Sequence, residues 1–134
     1  MSNQRHDDGA NASLSVAEFL LGTWRFRMEG DHSGTGWLHF TADGLAVQFI
    51  IFDSGPQRRI PQRFWYEVEA ADTVRFRPGL DQEGWTRSCL RQDGSSFALG
   101  AGDIVFPCTR LSADDYPEWF DEAFAHQLTQ FTST

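Results

Sequence analysis

The sequence predicts an all-β domain: an eight-stranded antiparallel up-and-down β-barrel with a short N-terminal helix and a C-terminal amphipathic helix. Three observations carry this. Eight strand-like runs follow at short spacing, about 22–29, 36–42, 45–53, 63–69, 72–77, 84–91, 96–100 and 103–111, with no long helix between them. Turn dipeptides such as Asp43-Gly44 and Asp93-Gly94 separate them, as hairpins require. A meander of eight strands can also close on itself and so remove its edges.

In chain order, residues 1–13 are polar and without an apolar core, so they are expected to be a disordered tail, neither signal peptide nor anchor. Residues 14–131 are expected to form one domain. Ser15-Val16-Ala17-Glu18 fits a capping box and starts a short helix before the first strand. Trp24, Phe26 and Met28 share the inward face of that strand. The Asp43-Gly44 turn is expected to set Leu38 and Phe40 opposite Val47 and Leu45, sending Trp37 and His39 outward. Around Ala70-Ala71, Val68 pairs with Val74 and Tyr66 with Phe76, leaving Trp65, Glu67, Glu69, Arg75 and Arg77 outside. A tight Asp93-Gly94 turn would pair Leu90 with Phe97 and Ser88 with Leu99, with Arg87, Cys89 and Arg91 outside. In the last strand Ile104, Phe106, Cys108 and Arg110 share one face, taken as inward. Tyr116, Trp119, Phe120, Ala123, Phe124, Leu128 and Phe131 then recur at helical spacing, which predicts a helix over 113–128 with Pro117 in its first turn.

Composition narrows the function. Nineteen acids against eleven bases give a net charge of −8, which repels phosphate backbones and anionic lipid, so neither nucleic acid nor membrane is an expected partner. All eleven bases are Arg, which removes Schiff-base and phosphate-loop lysine chemistry. Twelve Phe and five Trp suit an apolar lumen. Cys89 and Cys108 have no Cys-x-x-Cys spacing and read as reduced thiols of a cytoplasmic protein. His6, His32, His39 and His126 are scattered, so no metal and no cofactor is expected, and His39 is read as a surface residue.

Gly22-Thr23-Trp24 opening the first strand and Thr109-Arg110 closing the last resemble the calycin superfamily, which includes lipocalins and fatty-acid-binding proteins. The resemblance covers roughly 20–111. It implies a barrel end closed by Trp24, with two roles open for Arg110. In lipocalins the basic residue packs its guanidinium on the indole; in fatty-acid-binding proteins a Thr-Arg pair supplies an interior Arg to a ligand carboxylate, often with a Tyr two residues on, where this chain has Ser112. The C-terminal helix is similar to the one many lipocalins lay against the barrel.

The expected function is that of an intracellular lipocalin-like protein binding a small, largely apolar or weakly acidic ligand in the lumen. Met28, Phe40, Phe49 and Tyr66 from the first half of the chain would line it, with Phe76, Leu90, Phe97 and Phe106 from the second, and Arg110 as the charged candidate. An alternative is a cyclase, isomerase or lyase in which Tyr66 and Arg110 supply a proton and a positive charge. A third is an interaction module, or a homodimer, using Trp37, Ile50, Phe52, Trp65 and Trp85 on the outside. The loop 53–62, with Arg58 and Arg59, is either a solvated loop or a basic lip over an acidic ligand.

Overall fold

The computed structural model describes residues 15–55 and 58–132, so the tail expected at 1–13 lies outside the described residues. Helix α1 (Val16–Leu20) leads into β1 (Gly22–Met28), β2 (Gly34–Phe40), β3 (Leu45–Phe52), β4 (Ile60–Ala70), β5 (Thr73–Arg77), β6 (Trp85–Asp93), β7 (Ser96–Ala101) and β8 (Ile104–Arg110). A 3₁₀ turn at Ala113–Asp115 and helix α2 (Phe120–Thr132) follow. Each strand pairs antiparallel with its sequence neighbour, and β8 returns to β1 to close an eight-stranded barrel. The closing seam is short, running from Trp24–Arg110 to Phe26–Cys108, whereas β1 pairs with β2 along its whole length.

The start of β1 shows why the barrel end closes. Ser15 and Glu18 form the capping box that begins α1, but a five-residue helix has almost no stability of its own. Its C-terminal carbonyls have no partner within the helix. Arg110 takes two of them, Nη2 donating to Phe19 O at 2.5 Å and Nη1 to Leu21 O at 2.7 Å, while Trp24 Nε1 donates to Leu20 O at 2.8 Å. The Arg110 guanidinium also stacks 4.2 Å from the Trp24 ring centroid. Gly22 has φ +112°, and a Cβ there would stand 3.2 Å from Arg110 Nη1, so a side chain would be both strained and in the way. Phe19 packs tilted on Trp24, and Phe97 stands edge to face on both, as a plug.

Two hairpins differ from expectation, each by one residue, and a one-residue change of register moves side chains to the other face. The β2–β3 loop is Ala42-Asp43-Gly44, with Gly44 at φ +86° as its last residue, so Phe40 pairs with Ala46 and Leu38 with Gln48. Ala46, Gln48 and Ile50 therefore face inward, and Val47 and Phe49 outward. At the β6–β7 turn the loop is Gly94-Ser95, with the Asp93 carboxylate accepting from Ser95 N at 2.8 Å and from the Ser95 and Ser96 hydroxyls. Gln92 is the extra residue between Arg91 and Asp93, so Cys89 pairs with Leu99 and Arg91 with Phe97. Arg87, Cys89 and Arg91 face inward, and Leu90, 52% exposed, faces out. Val68–Val74 and Tyr66–Phe76 pair as expected, with Glu67 and Glu69 outside on Arg77 and Arg75.

Helix α2 starts at 120 rather than 113, because Pro117 holds the preceding Tyr116 extended (φ −68°, ψ 139°) and breaks the helical path. It lies on the outside of β2, β3 and β4. Phe120, Val47 and Phe49 are fully buried between helix and sheet. Trp37 packs on Trp119 and Trp65 on Phe131, while Ile50 and Trp85 face the lumen, so the five residues expected as an exposed outer patch do not form one.

Trp24→Ala should lower stability by about 3–5 kcal/mol, as a large-to-small core change that also strands the Leu20 carbonyl. Arg110→Met should cost less, about 1–3 kcal/mol, since its stem still covers the indole while two carbonyls lose a donor. Urea unfolding of both variants beside wild type measures the order; equal stability of wild type and Arg110→Met would contradict the role given to the guanidinium.

Candidate functional site

The barrel interior divides into a packed half and an open half. Toward α1, Trp24, Phe40, Val74, Phe97 and Cys108 are buried in one continuous core. Toward the other end lies a cavity of about 320 Å³ walled by Phe26, Ile50, Phe64, Phe76, Trp85 and Phe106, with Met28, Leu99 and Ile104 also on it. The exposed side chains Gln62 and Ile104 on its border place its mouth in solvent. Two local features keep it open. A Cβ at Gly36 would overlap the tip of the Phe26 ring, so the missing side chain lets that ring press against β2. Trp85 stands edge-on to Phe64, with centroids 5.4 Å apart, propping β6 against β4.

The residues expected to line the lumen separate by this division. Met28, Phe76 and Phe106 border the cavity. Phe40, Tyr66 and Phe97 face inward but belong to the packed half. Phe49 and Leu90 lie outside the barrel wall, Phe49 because β3 carries apolar residues on both faces and its outer one is roofed by α2. Arg110 sits at the closed end. Tyr66 Oη donates to Thr41 O at 2.5 Å, and burial raises its pKa, so it is neutral and engaged. Tyr66 and Arg110 are both absent from the cavity wall.

Three polar side chains that the turn arithmetic did not place on the lumen do border it: Gln48, Gln62 and Arg87. Gln48 Nε2 donates to Gln62 Oε1 at 2.6 Å across paired positions of β3 and β4. Arg87 projects from β6, its guanidinium 5.6 Å from the Trp85 centroid, with Nη1 donating to Thr86 O at 3.0 Å. Burial lowers its pKa, though it stays charged at any physiological pH. The signal in the sequence was the Arg87-Ser88-Cys89 alternation, which a one-residue bulge at Gln92 turns inward.

The other reactive groups are structural. Burial pushes both the Cys89 and Cys108 thiols up to about 12, so neither forms a thiolate at neutral pH. Among the described residues no three His, Cys, Asp or Glu side chains gather as metal ligands. In the loop beside the mouth, Arg59 stacks 4.7 Å from the Trp119 centroid, away from the lumen, and Arg58 borders a separate groove with His32 and Phe52. His39 is outside the barrel wall as expected but is covered by α2. Its ring lies 4.3 Å from Phe124, and Nδ1 is 2.6 Å from Thr23 Oγ1, which in turn donates to Tyr116 Oη at 2.8 Å.

Comparison with protein-family models, with curated proteins and with solved structures finds no match to this chain. Fold and cavity define a closed eight-stranded antiparallel barrel, plugged at one end and open at the other. That architecture is compatible with a calycin-like fold. Among the described residues no helix is long and apolar enough to cross a membrane.

Burial of His39 lowers its pKa to about 4 from 6.5. Below pH 6.5 the unfolded chain takes up a proton that the folded one refuses, so stability falls as pH drops toward 4 and the loss then levels off. With partial exposure allowed for, the loss should not exceed about 3 kcal/mol. His39→Gln should flatten the melting temperature between pH 6.5 and 4 relative to wild type; parallel curves for the two proteins would contradict this origin.

Proposed function

We propose that this chain is an intracellular, lipocalin-like binding protein that holds a small, largely apolar ligand in its barrel lumen. The observation that carries the reading is the cavity of about 320 Å³ on the barrel axis, walled by five aromatic rings and reached from one end. Pockets of this size with apolar walls and a few polar groups are the usual form of small-molecule sites. Kinship with the calycins is supported by the Gly22-x-Trp24 start and by the Arg110 guanidinium stacked on that indole. A reducing compartment is supported by Cys89 and Cys108, both free and buried.

Binding is favoured over catalysis by Tyr66 and Arg110 because both are engaged with backbone carbonyls in the packed half. Among the described residues the cavity wall carries Arg87 and no Asp, Glu or His beside it, which favours recognition over acid–base chemistry.

Native mass spectrometry of protein purified from its own source should show a retained small molecule. Ala101→Phe, which narrows the cavity from β7, should reduce that mass peak and weaken binding of the neutral probe 2-naphthalenemethanol at least tenfold, with an unchanged circular dichroism spectrum. A protein that emerges empty and takes up no neutral aromatic probe would contradict the reading.

A further inference from the structure

We propose that the lumen ligand carries a single anionic head group of the carboxylate type, received in the cavity by the guanidinium of Arg87, with Gln48 and Gln62 as the further polar groups of its wall. This rests on the lumen-binding reading above and adds the class of ligand.

Charge distribution carries the argument. The chain has nineteen acids and a net charge of −8, yet among the described residues the cavity is bordered by no Asp or Glu, and its one charged wall residue is Arg87. The inward positions of the eight strands are likewise free of acids; Glu67 and Glu69 both point out. Several outward arginines have carboxylate partners: Arg27 with Asp53, Arg75 with Glu69, and Arg77 with Glu67. Among the described residues Arg87 has none, only its neighbour's carbonyl and the Trp85 face. A guanidinium has five donors in a planar fork that matches two carboxylate oxygens. With one hydrogen bond made, Arg87 keeps most of that capacity for whatever enters the mouth.

Two further features fit. Trp85 supports the guanidinium from one side, which limits the entropy lost on binding a planar acid. The Gln48–Gln62 bond uses one amide N–H and one carbonyl, leaving the Gln62 amide nitrogen as a further donor in the wall. Size follows from volume. An apolar cavity of about 150 Å³ accommodates benzene, so one of about 320 Å³ suits a body of roughly twice that size. A compact aromatic monocarboxylate, its ring among Phe26, Phe64, Phe76 and Phe106 and its acid toward Arg87, meets all these conditions.

The test uses two probes of matched shape, 2-naphthoate and 2-naphthalenemethanol, titrated calorimetrically at pH 7 into wild type, Arg87→Met and Arg87→Gln. Wild type should bind the acid at least tenfold more tightly than the alcohol. Both variants should lose that preference while keeping the affinity for the alcohol. Equal affinity of wild type for the two probes would overturn the anionic head group and leave lumen binding standing. A parallel loss of both probes in the variants would also overturn it, since Arg87 would then serve packing alone. Failure of wild type to bind either probe would overturn the lumen reading and this inference together.

Discussion

The barrel depends on one arrangement at its closed end, in which Trp24 and Arg110 hold the carbonyls at the end of α1. A five-residue helix cannot persist alone, and a barrel end cannot be sealed by strands alone, so each solves the other's problem. The helix brings Phe19 and Leu20 as an apolar plug and also brings unpaired carbonyls. Arg110 and Trp24 satisfy those carbonyls with N–H groups whose stems and rings are themselves part of the plug. Because Trp24 and Arg110 are register partners across the β1–β8 seam, the same pair that seals the end also closes the barrel.

Sealing one end is what leaves the other free. With the aromatic mass of Trp24, Phe40 and Phe97 drawn toward α1, the rings toward the mouth meet edge to face around the axis, Phe26 on Phe106 and Phe64 on both Phe76 and Trp85, and leave a cavity between them. The second helix acts on the outside alone. It roofs β2, β3 and β4, burying Phe49 and Val47 against Phe120, and so supplies apolar packing without intruding on the lumen.

The fold was legible in the sequence because its signals are local: eight runs, the turns between them, one capping box and one helical period. The inner face was legible where polar and apolar residues alternate along a strand. On β1, β5 and β8 the alternation is plain. On β3, Leu45 to Phe52 is apolar almost throughout because α2 covers the outer side, so periodicity does not distinguish Phe49 from Ile50. On β6 the deciding fact is a carboxylate, Asp93, which folds the turn one residue later than its Asp-Gly pair suggests and turns Arg87 inward. The charged group of the lumen, Arg87, was therefore hidden behind a single bulge and Gln48 behind the longer β2–β3 loop, while the stack at the closed end lay open to recognition from Gly22, Trp24 and Arg110.

The shortness of the β1–β8 seam bears on how the chain reaches this state. Seven of the eight strand pairings join neighbours along the chain and need only a tight turn. The seam alone joins ends that are separated by most of the domain, over the stretch from Trp24–Arg110 to Phe26–Cys108. Closing so long a loop costs entropy, which a seam of three register pairs offsets only together with the side chains packed at it. The residues at that joint are also the ones that capture α1, so closure of the barrel and sealing of its floor stand or fall together.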